Sequence, residues 1–66
     1  MNPGERIVIL PSLALSEMKL ELLVGTTAIV VEVHKTKGKI SGCWVELPKE
    51  YLGSREWYIP YNSIGT

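Results

Sequence analysis

The sequence predicts an all-β fold, a small five-stranded, partly open barrel with a long first loop and a short 3-10 turn before the last strand. Three observations lead to this prediction. Short runs rich in β-branched and aromatic residues recur along the chain. Glycine and proline separate these runs at turn-like intervals. The chain has only 66 residues, which is enough for one domain spanning 1–66.

Each predicted strand lies between turn signals. The first follows Pro3-Gly4 and is closed by Pro11, and the third and fourth are closed by Pro48 and Pro60. The expected strands are residues 6–10, 26–33, 43–47, 56–59 and 64–66. Between them we expect a long loop at 12–24, a polar basic loop at 34–42, a turn region at 49–55 and a tight turn at 61–63. The long loop has room for about one helical turn, which Ser16 is placed to cap.

Alternation of side chains along a strand predicts which residues enter the core. The inward set is Ile29, Val31, Val33, Cys43, Val45, Leu47, Trp57 and Ile59. The outward set on the third and fourth strands is Trp44, Glu46 and Tyr58. Leucines of the long loop are expected to tuck under the barrel: Leu20, Leu22 and Leu23.

Residues 58–64 read Tyr-Ile-Pro-Tyr-Asn-Ser-Ile and resemble the Tyr-Ile-Pro-x-Asn-Tyr-Val segment of Src-homology-3 domains. Trp44 heads the third strand, as the binding tryptophan of that family does. The resemblance covers nearly the whole chain and implies a five-stranded barrel that acts as a binding module. The family's Ala-Leu-Tyr-Asp-Tyr segment is absent, and Ser63 replaces its last tyrosine. The resemblance therefore implies the fold without the tyrosines that hold proline-rich peptides.

A second likeness is to bacterial small barrels of the KOW type. Residues 24–30 resemble their Gly-x-x-Gly-x-Val element, with Ala28 at the second glycine, and residues 4–8 resemble their Gly-Asp-x-Val opening. Those families often bind RNA or ribosome-associated proteins. This likeness implies nucleic-acid binding as the alternative function.

Several classes of function receive no support from the residues. Cys43 is the only cysteine and His34 the only histidine, so no metal-ligand cluster or disulfide is expected. His34 has only Glu32 nearby, a pair more typical of a surface salt bridge than of a catalytic base. We therefore expect no enzyme activity and no cofactor.

The chain ends and the apolar runs bear on location. Residues 1–5 contain no basic region before an apolar run, which argues against a signal peptide. No apolar stretch approaches the roughly 20 residues that cross a bilayer. We expect a cytoplasmic protein that does not contact a membrane, and one whose open sheet edges allow a homo-oligomer.

Two surfaces are candidates for binding. Outward aromatic residues on the third and fourth strands, with the residues that follow, predict a site for a protein or peptide partner. Its residues are Trp44, Tyr58, Pro60 and Tyr61. The basic loop predicts contacts with nucleic acid in the alternative function. Its residues are Lys35, Lys37 and Lys39. The formal net charge of zero favours the first interpretation, because nucleic-acid binders of this size are usually basic.

Overall fold

In a computed structural model, which describes residues 1–65, five antiparallel strands curl into a half-barrel. The predicted class is confirmed: all-β, five-stranded and partly open, with a long first loop and a 3-10 turn before the last strand. The strands lie in the order β4-β3-β2-β1-β5. They are β1 Arg6–Ile9, β2 Thr27–Thr36, β3 Lys39–Tyr51, β4 Ser54–Pro60 and β5 Ile64–Gly65. Thr66, predicted to extend the last strand, lies outside the described residues.

The long first loop contains helix α1, Leu13–Glu17, and a 3-10 helix, Glu21–Leu23. The prediction that Ser16 caps the helix is wrong, because Ser12 is the N-cap and its Oγ accepts from the Leu15 backbone N–H at 3.1 Å. Leu20 and Leu23 are buried as predicted, but Leu22 is 79% exposed. Three residues per turn bring every third side chain to the same side, so Leu20 and Leu23 share the core side and Leu22 does not.

Strand β2 departs from the predicted core face. Ile29 and Val31 were predicted inward but are 36% and 42% exposed, whereas Val30 is buried. The cause is a β-bulge: Val30 pairs with Val45 and Glu32 with Trp44, which leaves Val31 as an extra residue. The extra residue reverses the alternation, so Val33 packs against the core as predicted although Ile29 does not.

The predicted basic loop at 34–42 is also wrong, because the hairpin ladder continues through it. Strand β2 runs to Thr36, which pairs with Lys39 at the start of β3. Only Lys37 and Gly38 form the turn, with φ of 52° and 80°. Positive φ at both positions matches the two-residue turn whose twist fits a hairpin. The lysines therefore lie on an ordered two-stranded ribbon.

Strand β3 continues past Pro48, where the sequence predicted its end, to Tyr51. Residues 47–50 nevertheless have no register partners in β4, since Glu46 pairs with Glu56 and the next pair is Tyr51 with Ser54. Proline has no N–H to donate to the ladder. The Leu47 carbonyl, which has no partner in the β4 ladder, instead accepts from Arg55 Nε at 3.1 Å.

The core lies on the concave side of the sheet and is covered by the long loop. The predicted inward residues of β3 are buried, and on β4 Ile59 is buried while Trp57 packs against the core. The core cluster is Ile7, Ile9, Leu15, Leu20, Leu23, Ala28, Val30, Cys43, Val45, Leu47 and Ile59. Within residues 1–65, no helix has the length and apolar character needed to cross a membrane.

Candidate binding surfaces

Three aromatic rings form a row on the outward face of β2, β3 and β4. The rings of Trp44 and Tyr58 meet edge to face, with centroids 5.7 Å apart and planes at 70°. The rings of His34 and Tyr58 meet in the same way at 5.9 Å and 80°. Edge-to-face contact is a favoured arrangement of aromatic pairs. We call His34, Tyr58 and Trp44 the ring row.

A hydroxyl network on Ser41 holds one end of the ring row. Tyr58 Oη donates to Ser41 Oγ at 3.2 Å, and His34 Nδ1 lies 2.8 Å from the same oxygen. Ser41 Oγ in turn donates to the His34 carbonyl at 3.3 Å. The three contacts are mutually consistent when His34 carries a proton on Nδ1. The network fixes the orientation of two of the three rings before any partner binds.

Gly42 provides the space that the central ring occupies. A Cβ placed on Gly42 would lie 2.5 Å from Tyr58 Oη and 2.5 Å from the Ile59 carbonyl oxygen. Ser41 is the extra residue of a second bulge, between the pairs His34–Gly42 and Lys35–Ile40. The bulge brings the Ser41 hydroxyl to Tyr58, and the missing side chain at Gly42 leaves room for the phenol end of Tyr58.

The ring row is bordered by charges of both signs. Glu32 is the register partner of Trp44 on β2 and is exposed. Glu46 follows Trp44 two residues along β3, and its carboxylate lies 3.6 Å from Arg55 Nη2. Trp44 itself, at the end of the row that these charges border, is 42% exposed. The arrangement is an apolar centre with a polar rim, as binding surfaces for proteins commonly have.

The structure brings together only some of the residues predicted for the aromatic site. Trp44 and Tyr58 are cross-strand partners and touch. Pro60 follows Tyr58 by two residues and is half-buried. It pairs with Gly42, which places it beside Tyr58 on the same surface. Tyr61 lies apart: in residues 1–65 it makes no ring pair with Tyr58 or Trp44.

Tyr61 instead faces the lysine ribbon. It lines an open groove of about 590 Å³ together with residues of the β2–β3 hairpin. We call these residues the lysine groove: Lys35, Gly38, Lys39, Ile40 and Tyr61. Lys37 lies at the turn, is exposed and does not line the groove.

The turn that carries Tyr61 is firmly anchored. It is the 3-10 helix Tyr61–Ser63, and Ser63 is fully buried. Ser63 Oγ lies 2.6 Å from Ser12 Oγ, and the Ser63 carbonyl accepts from the Leu10 backbone N–H at 2.7 Å. These bonds tie the turn to the long loop and to the end of β1. Tyr61 therefore projects from a fixed base.

The contacts of Cys43 and His34 bear on nucleophilic, acid–base and metal chemistry. Burial raises the pKa of the Cys43 thiol, which disfavours the nucleophilic thiolate. No group of three potential metal ligands occurs in residues 1–65. His34 contacts Ser41 rather than Glu32. The Ser41 hydroxyl is already engaged by the Tyr58 hydroxyl and the His34 carbonyl, and the hydrogen bonds among residues 1–65 include none to His34 Nε2 that would orient the ring as a base.

Sequence reasoning missed three members of these surfaces. His34, Ser41 and Gly42 all fall in the predicted polar basic loop at 34–42. Their roles depend on the bulge at Ser41, which no alternation rule reveals. The one usable signal was a Ser-Gly pair just before Cys43, since an isolated glycine in a strand pattern often marks a bulge or a close approach.

Comparison with known proteins gives no further guidance: no family model, curated protein sequence or solved structure matches this chain significantly.

Proposed function

We propose that this protein is a non-catalytic interaction module that binds a protein or peptide partner through the ring row. The observation that carries the proposal is the exposed Trp44 ring, held in edge-to-face contact with a hydrogen-bonded Tyr58. Tryptophan and tyrosine are the residues that most often dominate the energy of protein interfaces. Pro60, the register partner of Gly42, extends the same surface beside Tyr58.

The rigidity of the row supports a binding role. Ordering side chains at an interface costs about 0.5–1.5 kcal/mol for each flexible group. Tyr58 and His34 are already fixed by Ser41, and Gly42 seats the Tyr58 ring. A partner therefore binds rings whose orientation is already fixed. The cost of ordering these side chains then offsets less of the favourable contact energy.

The charges around the row favour a polypeptide over a polyanion as its partner. Glu32 stands directly across from Trp44, and Glu46 is the next outward residue on β3. A phosphate backbone laid over Trp44 would approach the Glu32 carboxylate. A peptide can place apolar or basic side chains there instead, where a cation over the indole face would gain further attraction.

Selection of peptide ligands tests this proposal. A displayed library of random peptides is selected on the wild-type chain, and the affinity of each recovered peptide is measured for wild type and variants. We expect Trp44→Ala to weaken binding by about 2 kcal/mol or more, roughly 30-fold. Leu22→Ala is the matched control, because Leu22 is a large apolar residue with 79% exposure in a different part of the molecule.

Two readouts complete the test. Circular dichroism confirms that the Trp44→Ala chain keeps its fold, as expected for a half-exposed side chain. Sedimentation of the wild-type chain shows whether the partner is a second copy, in which case Trp44→Ala dissociates the dimer. The proposal is wrong if no recovered peptide distinguishes Trp44→Ala from Leu22→Ala and the chain sediments as a monomer.

A further inference from the structure

We infer that the lysine groove is a second binding site, separate from the ring row, and that it takes single-stranded nucleic acid. It combines the positive charge of Lys35 and Lys39 with the ring of Tyr61 in one opening of about 590 Å³. The fold creates this combination, since Tyr61 lies more than twenty positions along the chain from the hairpin residues that line the groove.

The groove is positive although the whole chain is neutral. Residues 33–45 contain three lysines and no acidic residue. The one ion pair in residues 1–65 joins Arg55 to Glu46, so the hairpin lysines are free to meet an external anion. In the described part of the chain, no carboxylate lines the groove. A local excess of unpaired cations beside a concave surface attracts polyanions.

Tyr61 supplies the flat surface that a base requires. Its side chain is 55% exposed, although the turn beneath it is held by the buried Ser63. Because the backbone that carries this ring is already held in place, little conformational entropy is lost when a nucleobase stacks on the ring. Ile40, half-buried beside it, adds an apolar wall to the groove.

The arrangement favours nucleic acid over an acidic peptide. A single strand alternates flat bases with phosphates, and the groove places one ring next to ammonium groups on two neighbouring strands. An acidic peptide would use the lysines but leave the Tyr61 ring without a partner. The dependence of binding on the ring therefore separates the two kinds of ligand.

Trp44 and Tyr58 take no part in this site. They lie in the ring row beside Glu32, and Tyr61 shares no ring contact with them in residues 1–65. Variants of the ring row and variants of the lysine groove therefore test the peptide site and the nucleic-acid site separately.

The experiment uses fluorescence anisotropy of the full chain with a labelled eight-nucleotide oligothymidylate at low salt. We expect binding whose logarithmic salt dependence has a slope of about −1.4, since two neutralised phosphates contribute about −0.7 each. In Lys35→Gln/Lys39→Gln the slope should approach zero. The control Lys19→Gln/Lys49→Gln removes the same charge from other parts of the surface and should leave the slope and affinity unchanged.

Variants of Tyr61 test the stacking contact. Loss of one stacked base weakens binding by about 5- to 150-fold, which we expect for Tyr61→Ala and Tyr61→Leu. Tyr61→Phe keeps the ring and should bind within about twofold of wild type, as should Trp44→Ala.

Three outcomes would overturn the inference. One is absence of binding at low salt. Another is equal loss in the two lysine double variants, which indicates nonspecific charge attraction. The third is tight binding of a labelled octaglutamate peptide that is insensitive to Tyr61→Leu, which identifies the groove as a site for acidic polypeptides.

Discussion

The ring row and the lysine groove both include residues of the β2–β3 hairpin, yet their side chains are held very differently. In the ring row, Tyr58 and His34 are tied to Ser41, and Gly42 has no room for a side chain. In the lysine groove, Lys35 and Lys39 are exposed and make no ion pair within residues 1–65. One hairpin therefore contributes to a packed surface and to an open one, with the bulge at Ser41 between them.

The largest expected difference in the free energy of unfolding is between substitutions of two glycines in this hairpin, Gly42 and Gly38. Gly42→Ala places a Cβ against both Tyr58 Oη and the backbone carbonyl of Ile59, so moving the tyrosine alone does not relieve the clash. We expect a loss of about 3 kcal/mol in the free energy of unfolding, at the upper end for overpacking. Urea denaturation measures this loss. Reaction of the buried Cys43 thiol with an alkylating reagent should accelerate in parallel.

A chain of this size has little stability to lose, so failure of Gly42→Ala to fold would agree with the expected clash. A loss below about 0.5 kcal/mol, the range of ordinary surface substitutions, would contradict the packing described for Tyr58.

Gly38→Ala probes the open side of the hairpin. Nothing lies within 4 Å of a Cβ placed there, and only the φ of 80° opposes the substitution. We expect a smaller loss, about 1–2 kcal/mol, because a left-handed conformation is strained for alanine. The same urea series measures it. A loss larger than that of Gly42→Ala would reverse the comparison between the two surfaces.

Tyr58→Phe removes one hydrogen bond of the ring row and keeps its ring. The loss should be about 0.5–1.5 kcal/mol, the usual net contribution of a hydrogen bond. The proton resonances of the His34 ring should also move, since Ser41 loses one of its two partners on this face. Unchanged His34 resonances would show that the Ser41 network does not couple the two rings.

The lysines should contribute least to stability. Lys35→Gln/Lys39→Gln changes exposed side chains that make no ion pair within residues 1–65, so we expect a shift within about 0.5 kcal/mol in thermal or urea unfolding. A loss of more than 1 kcal/mol would mean that the lysines support the hairpin and are not free for a ligand.

The sequence predicted the fold class and the inward residues Cys43, Val45 and Leu47 because these depend on short-range alternation. It failed at Ile29 and Val31, where one extra residue reverses the alternation and no local signal marks the bulge. It read residues 34–42 as a loop because their polarity hides a regular ribbon that faces solvent. It grouped Tyr61 with Tyr58 because they are close in sequence, whereas the 3-10 turn directs Tyr61 to the lysines.

The proposed peptide site at Trp44 is tested by following the two tryptophan indole N–H resonances during titration with a selected peptide. Trp57 is an internal control, because its Nε1 donates to the Ser54 carbonyl at 2.9 Å and its ring packs on Tyr51 and the core. The proposed site predicts that the Trp44 indole and the Tyr58 and Ser41 amides shift while the Trp57 indole stays. Shifts confined to Tyr61 and the hairpin lysines, with Trp44 unmoved, would contradict it.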